Sequence, residues 1–265
     1  MPRPTKRARL ENSDAFAQVS NLEEYRMKEL PDSEVYYIPS FISEELSEEW
    51  YPALLELDSW YQPKLKVYGR EVTQSRKIAA YSTDPDLILK YSGQTVDMKY
   101  EYPPVLRAIQ DQVEERLGVK FNHVMLNLYE DGKVYIGTHR DHIENKVIAS
   151  LSLGAPRTFT MMRDSKVSKT SKTPTSSEDI RQDGKPSTST HKRPRDTHDI
   201  ELEAGSSESS TPTPVSLNRK SWILAPGSLV VMQGETQKYW KHEIPKEPKV
   251  TSGRISLTFR QLVSS

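Results

Sequence analysis

The chain has no cysteine, and that one absence removes several chemistries at once. Disulfides, thiolate metal sites and cysteine nucleophiles are all excluded. Any metal must therefore sit on His, Asp or Glu. A prevailing charge is also missing, because 37 Lys and Arg balance 37 Asp and Glu. Bulk charge thus says nothing about a nucleic-acid partner, and local clusters must carry that argument. No apolar run is long enough to span a bilayer, so no membrane partner is expected. The opening MPRPTKRARLEN is basic with no apolar stretch behind it, which argues against a secretory signal. Hydrophobic residues make up 35% of 265, against roughly 45–50% in a typical domain when Gly is counted too. That allows one good core plus additions that do not pack.

Two stretches account for the shortfall. Residues 1–20 read as a disordered basic tail. Within it Arg3, Lys6, Arg7 and Arg9, flanked by Pro2 and Pro4, form a candidate nuclear import signal, with a plain basic tail as the alternative. Residues 164–219 hold no aromatic residue and are crowded with Ser, Thr, Pro and charge. Such a segment cannot bury enough apolar area to offset its ordering entropy. It reads as a disordered loop inserted between two core strands, carrying a second basic run, HKRPR, at 191–195. The remainder, 30–163 and 220–262, is expected to form a single domain.

In that remainder, residues 43–57 predict a helix. Ser43 is a plausible N-cap, Glu44 and Glu45 suit the first turn, and Leu46, Trp50, Leu54 and Leu57 recur at near-helical spacing. A second helix is predicted from Pro104 to Leu117, with Val105, Ile109 and Val113 every four residues and Gly118 as its stop. Between them KLKVYGREVTQSRK (64–77) alternates like a strand and hairpin and carries Lys64, Lys66, Arg70, Arg76 and Lys77. From Phe121 onward FNHVMLNLY, VIASLSLG, RTFTMM, SWILAPGSLVVM and RISLTFRQL read as short strands. The fold class is mainly β (α+β), a sandwich or jelly roll with helices packed outside.

Only six histidines are present. His191 and His198 fall in the expected loop, and His123 sits in an apolar strand as a core residue. His139, His142 and His242 remain for chemistry. His139-Arg140-Asp141 has the His-x-Asp form, and on an extended strand residues two apart project to one side. They can share one metal, and a third ligand from a distant strand would complete a facial triad with open positions for Fe(II) chemistry. His242, in WKHEIP, is the well-placed candidate. A lone His-x-Asp is weak, since a polar strand end gives the same pattern. The last strand strengthens it. Arg254, Ser256, Thr258 and Arg260 alternate with Ile255, Leu257 and Phe259, while Asn127 and Tyr129 share a face opposite Val124, Leu126 and Leu128. Polar faces turned into a barrel would suit an acidic ligand, with Arg gripping a carboxylate; faces turned to solvent would look the same.

NLYEDGKVYIGTHRD, IASLSLGAPRTF, the distal His242 and RISLTFR, in that order, resemble the AlkB family of Fe(II)/2-oxoglutarate dioxygenases. The resemblance runs from about Val67 to Leu262, without 164–219. It implies a double-stranded β-helix (jelly-roll) core with packed N-terminal helices and a nucleotide-recognition lid at about 60–100. It implies Fe(II), 2-oxoglutarate and O2 as the reagents. By resemblance His139, Asp141 and His242 are iron ligands. Arg254 partners the distal carboxylate of 2-oxoglutarate, Asn127, Tyr129 and Thr258 hydrogen-bond it, and Arg260 lies near the metal and the substrate base. Ser256 stands where the family often has Asn.

The N-terminal part looks like the eukaryotic DNA-repair branch. VYGREVTQSRK (67–77) is similar to that branch's hydrophobic finger and the basic strand after it, so Val67, Tyr68 and Gly69 would fill the gap left by a flipped base. Lys64, Lys66, Arg70, Arg76 and Lys77 would hold phosphates; without the resemblance they read as a solvated hairpin. YSG (91–93) matches the site where Tyr91 would stack on the base, with His139 on its other side. Leu89 stands in place of a second aromatic, and His142-Ile143-Glu144 replaces an acidic run; both bear on base preference. The resemblance thus implies a nuclear demethylase of N-alkylated bases, such as 1-methyladenine and 3-methylcytosine, acting as a monomer on DNA, duplex before single strand. The alternatives are an RNA or single-stranded DNA demethylase, and a binding module that lost turnover.

Overall fold

The computed structural model describes residues 21–67, 70–91, 94–164 and 218–263. The expectations for 1–20, for 165–217 with its basic run, and for Tyr68 and Gly69 lie outside these residues, as do the side chains of Lys66, Val67 and Tyr91.

After a 3-10 turn at Leu22–Tyr25, the chain forms β1 (Glu34–Ile38), α1 (Glu44–Leu55), β2 (Lys64–Val67), β3 (Arg70–Thr73) and β4 (Lys77–Ser82). Short strands β5 (Lys90–Tyr91), β6 (Gln94–Thr95) and β7 (Met98–Lys99) lead to α2 (Pro104–Leu117). Then follow β8 (His123–Tyr129), β9 (Ile136–His139), β10 (Asn145–Gly154) and β11 (Arg157–Arg163). The last part is β12 (Arg219–Leu224), β13 (Leu229–Gln233), α3 (Thr236–Tyr239), β14 (Trp240–Ile244) and β15 (Arg254–Leu262).

The helices form where local signals agree. Ser43 caps α1, its side chain accepting the Leu46 amide at 3.3 Å. Leu46, Trp50 and Leu54 are its buried stripe. Pro104 opens α2 and Gly118 closes it in the left-handed region at φ 64°. The buried stripe of α2 is Leu106, Ile109 and Val113. Val105, expected on that face, only packs at its margin.

The strands make two facing sheets, a jelly-roll arrangement. The large one runs β1-β13-β10-β15-β8-β4-β7 and the small one β12-β11-β14-β9. Alternation divides the large sheet's faces. Val124, Leu126, Leu128, Ala149, Leu151, Ile255, Leu257 and Phe259 pack with both long helices in one core, each buried Leu or Phe contributing roughly 1.5–3 kcal/mol. Tyr129, Ile148, Val230 and Met232 meet Phe159, Met161, Leu224, Trp240 and Ile244 of the small sheet in a second core. The polar residues of the last strand share this inner face, so they line the space between sheets.

Three expectations change. β4 lies in the large sheet between β8 and β7, so Lys77–Ser82 belongs to the core and not to a lid. SWILAPGSLVVM is two strands in different sheets, separated at Pro226-Gly227; Gly227 has φ +77°, and a Cβ there would come within 2.7 Å of the Ile42 carbonyl oxygen. EVYYI, absent from the expected strands, is an edge of the large sheet against β13.

The ends of the inserted segment are adjacent. β11 and β12 pair from Arg157↔Leu224 to Met162↔Arg219, and the Arg163 amide donates to the Asn218 carbonyl at 2.8 Å. A short turn can therefore close the hairpin. Replacing residues 168–215 with a short Gly/Ser linker is expected to leave the melting temperature and turnover nearly unchanged. A fall of more than about 5 °C in Tm, roughly 1 kcal/mol or more in a chain of this size, would show that the segment packs on the sheets.

Candidate active site

β9 and β14 pair with His139 opposite His242, and their rings meet edge to face at 4.4 Å between centroids. Asp141 follows two residues on, with its Oδ2 at 3.6 Å from His242 Nε2. His139 Nδ1 lies 2.9 Å from the Gly137 carbonyl oxygen. A carbonyl only accepts, so Nδ1 carries the proton and Nε2 keeps its lone pair. Burial, then the neighbouring imidazole, pushes His242 down to about 3; burial also lowers His139. Neutral imidazoles are the form that ligates metal. Burial alone would raise the Asp141 carboxyl, but Arg260 and the two histidines outweigh it and hold it below the usual carboxylate range. Arg260 does so directly, donating from Nε at 3.0 Å and Nη2 at 2.7 Å to Asp141 Oδ1.

Among the described residues no three His, Asp or Glu side chains are already closed on one point. Asp141 and His242 stand apart. Two ligands about 2.1 Å from a metal and at right angles stand about 3 Å apart, so the 3.6 Å separation is wider by roughly half an ångström, with Arg260 holding the carboxylate aside. The donor set of two neutral imidazoles and one carboxylate suits Fe(II).

An inner pocket extends from these side chains between the sheets, lined among others by Asn127, Tyr129, Ser256, Thr258 and Arg254. Arg254 is 1% exposed. Its Nη2 donates to Ser152 Oγ at 2.9 Å, but Nε and Nη1 have no hydrogen-bond partner. Burial lowers its pKa, the mark of a desolvated cation. Ser150 Oγ lies 2.9 Å from Ser256 Oγ and 3.2 Å from Thr258 Oγ1. A buried guanidinium with spare donors, beside hydroxyls and an amide, is built for a small carboxylate; 2-oxoglutarate fits that description.

A wider cleft of about 590 Å³ opens on the other side, lined by Leu89, Val96, Met125 and Leu262 and by His123, His142, Glu144 and Asn145. Met125, His139, Asp141 and Arg260 border both spaces.

The residues named from sequence fall into three groups. His139, Asp141, His242, Asn127, Tyr129, Arg254, Thr258 and Arg260 all line the inner pocket. Leu89 and His142 line the cleft, Leu89 packed toward Ala80, Val96 and Met125. The hairpin's basic residues disperse. Arg76 is 5% exposed, its Nε donating to Asn127 Oδ1 at 2.8 Å, so it borders the inner pocket and is not a surface cation like its neighbours. Lys64 pairs with Glu71 and Lys77 with Glu130, both at 2.8 Å. His123, taken as a core residue, is buried yet faces the cleft. Sequence reasoning missed Ser150 and Ser152, although they alternate with Ala149, Leu151 and Leu153 as the polar residues of β15 do. It also missed Phe159, whose ring stacks on His242 at 5.5 Å.

This chain matches the 2OG-Fe(II) oxygenase superfamily over residues 34–260. It belongs to that superfamily, and within it to the AlkB proteins. It is 30% identical over 242 residues to DNA oxidative demethylase ALKBH2 of Arabidopsis thaliana, covering 86% of this chain and 66% of that one. With DNA oxidative demethylase ALKBH2 of Mus musculus it shares 32% over 205 residues, 76% of this chain and 67% of the other. With human alpha-ketoglutarate-dependent dioxygenase alkB homolog 3 it shares 29% over 179 residues, 66% of this chain and 48% of the other. The chain thus spans about two thirds or less of these relatives. The superfamily's reagents are Fe(II), 2-oxoglutarate and O2.

Proposed function

We propose that this protein is an Fe(II)- and 2-oxoglutarate-dependent oxidative demethylase of N-alkylated DNA bases such as 1-methyladenine and 3-methylcytosine. The observation that carries the reading is the meeting of two spaces at His139 and Asp141: an inner pocket with a buried, under-bonded Arg254, and an outer cleft wide enough for a base. His139, Asp141 and His242 would hold the metal. Arg254 would grip the distal carboxylate, with Asn127, Tyr129 and Thr258 as hydrogen-bonding neighbours. Bound together, iron, 2-oxoglutarate and O2 supply the oxidation of the N-alkyl carbon, which leaves as an aldehyde.

The chain's own residues decide what reaches that point. A base within a duplex must flip out, at a cost of a few kcal/mol, least where a lesion has already weakened pairing. Methylation at adenine N1 or cytosine N3 does this. Leu89, Val96, Met125 and Leu262 offer apolar walls to a base face, His142 and Glu144 stand at the mouth, and Tyr91 is the proposed stacking partner opposite His139. Arg76, bonded to Asn127, would steady the inner end of the site. On the hairpin the exposed Arg70 would meet phosphates, as would Lys66 by its place in the sequence, with Lys64 and Lys77 available if their exposed ion pairs yield, since such pairs are worth little. Nuclear placement through the N-terminal basic run and action as a monomer belong to the same reading.

Incubating the protein with methylated duplex DNA, single-stranded DNA and RNA, and measuring succinate and aldehyde, tests it. DNA-stimulated, iron-dependent release of both is expected. No release with any methylated substrate would favour the binding module, and release with RNA alone would move the substrate.

The hairpin supplies a sharper test. β2 and β3 pair up to Val67↔Arg70, so Val67, Tyr68 and Gly69 stand at the turn in sequence. If the tip fills the space of a flipped base, Val67→Ala with Tyr68→Ala should depress repair of methylated duplex about tenfold or more beyond any loss on a single strand, because unstacking costs a few kcal/mol. Equal losses on both substrates would mean the hairpin only packs or binds phosphate. No loss on either would favour a single-strand or RNA substrate.

A further inference from the structure

Beside the site, at the edge of the outer cleft that Arg140 also lines, is a second polar cluster that touches the chain neighbours of all three proposed metal ligands. Arg140 stands between His139 and Asp141, and Lys241 precedes His242. Both pair with one carboxylate. Asp164 Oδ2 accepts Arg140 Nη2, and Lys241 Nζ lies 3.1 Å from the same oxygen. Arg140 Nη1 also donates to the carbonyls of Gln237 at 3.2 Å and Lys238 at 3.0 Å. Gln237 Oε1 in turn accepts the Asp141 amide at 3.0 Å. The Asp164 amide donates to the Tyr239 carbonyl at 2.8 Å, which fixes the carboxylate's own backbone. The Asp164 side chain is 9% exposed against 33% and 35% for its two cations, so the carboxylate is the enclosed centre of the cluster.

The backbone between the ligand-bearing strands is thin. β9 and β14 pair at His242↔His139 and Ile244↔Ile136, with an irregularity between them. Side chains add to this pairing: Thr138 Oγ1 donates to Glu243 Oε2 at 2.7 Å, and the Asp164 cluster adds a second link between the end of β9 and β14. We propose that Asp164 is a positioning residue for the metal triad, its carboxylate holding Arg140 and Lys241 and thereby the set of His139 and Asp141 against His242. This rests on the reading of those three residues as a metal site. Groups bonded directly to a ligand typically change metal affinity about 10–100-fold when removed; Asp164 acts one residue further out, through Arg140 and Lys241, so a smaller change is expected.

Asp164→Asn keeps the shape and removes the charge. Mn(II) affinity, measured by calorimetry with 2-oxoglutarate present, is expected to fall by about threefold to tenfold, below the range typical of groups bonded directly to a ligand. Succinate formation should fall at limiting Fe(II) and recover at excess. Recovery by excess metal separates positioning from a general loss of fold. Lys241→Met, which removes one arm, should weaken Mn(II) in the same direction and by less. Wild-type Mn(II) affinity in a folded Asp164→Asn protein would overturn the proposal alone. If that variant does not fold, unchanged affinity in both Lys241→Met and Arg140→Gln would overturn it. Failure of the wild-type protein to bind Mn(II), matching a His139→Ala control, would overturn the metal reading and this inference with it.

Discussion

Arg254→Leu is expected to raise the 2-oxoglutarate requirement by two to three orders of magnitude and to abolish stabilisation by the co-substrate. Arg254 is buried with Nε and Nη1 unbonded, so it keeps a cation desolvated for a partner. Leaving a buried carboxylate without its cation costs roughly 3–5 kcal/mol, which sets the scale of the loss. Arg254→Lys should recover only part of it, because an ammonium lacks the planar fork that meets both carboxylate oxygens. The same burial makes a prediction of opposite sign for the protein alone. Against its desolvation the buried cation has only the Ser152 hydroxyl and the Tyr129 ring, 5.3 Å away, a stability cost that an apolar residue of similar length removes. Arg254→Met should therefore melt at or above the wild-type temperature without ligand, while 2-oxoglutarate no longer shifts its Tm. Unchanged co-substrate dependence in the Leu variant would show that another residue grips the carboxylate.

How far the sequence anticipated this site depends on whether the signal was local. Period-two alternation in β15 named Arg254, Thr258 and Arg260, and all three face inward because Ile255, Leu257 and Phe259 must face the helices. Ser43, Pro104 and Gly118 marked helix ends because capping depends on a few adjacent residues. Register between distant strands is not local. Nothing near Arg76 shows that it lies beside Asn127, 51 positions away, so a basic stretch read as one surface divided into a buried guanidinium and paired lysines. β1 was missed for a related reason: EVYYI is apolar on both sides, and its place is set by pairing with β13 almost 200 residues later. The histidine pair sits between these cases. His-x-Asp was visible as spacing, while the meeting of His139 with His242 needed the β9–β14 register.

That register gives the prediction with the most complete loss. His139→Ala or His242→Ala should abolish 2-oxoglutarate-dependent demethylation while the fold survives. The two rings come from adjacent strands and meet at 4.4 Å, and Asp141 Oδ2 stands 3.6 Å from His242 Nε2 as the proposed third ligand. Removing either imidazole leaves two ligands, which hold Fe(II) poorly and in the wrong open geometry. The two variants should differ in stability. His139 is half-buried on β9, at one edge of the small sheet, so truncation costs little there. His242 is 7% exposed and stacks on Phe159, so truncation leaves a void and should lower the melting temperature more. The void acts against a gain, because His242 Nδ1 is buried without a hydrogen-bond partner and the substitution removes that unsatisfied atom. Circular dichroism confirms folding, calorimetry with Mn(II) reports the lost site, and succinate release reports turnover. Full turnover in either folded, metal-checked variant would remove that histidine from the triad and point to His123, a buried imidazole lining the cleft.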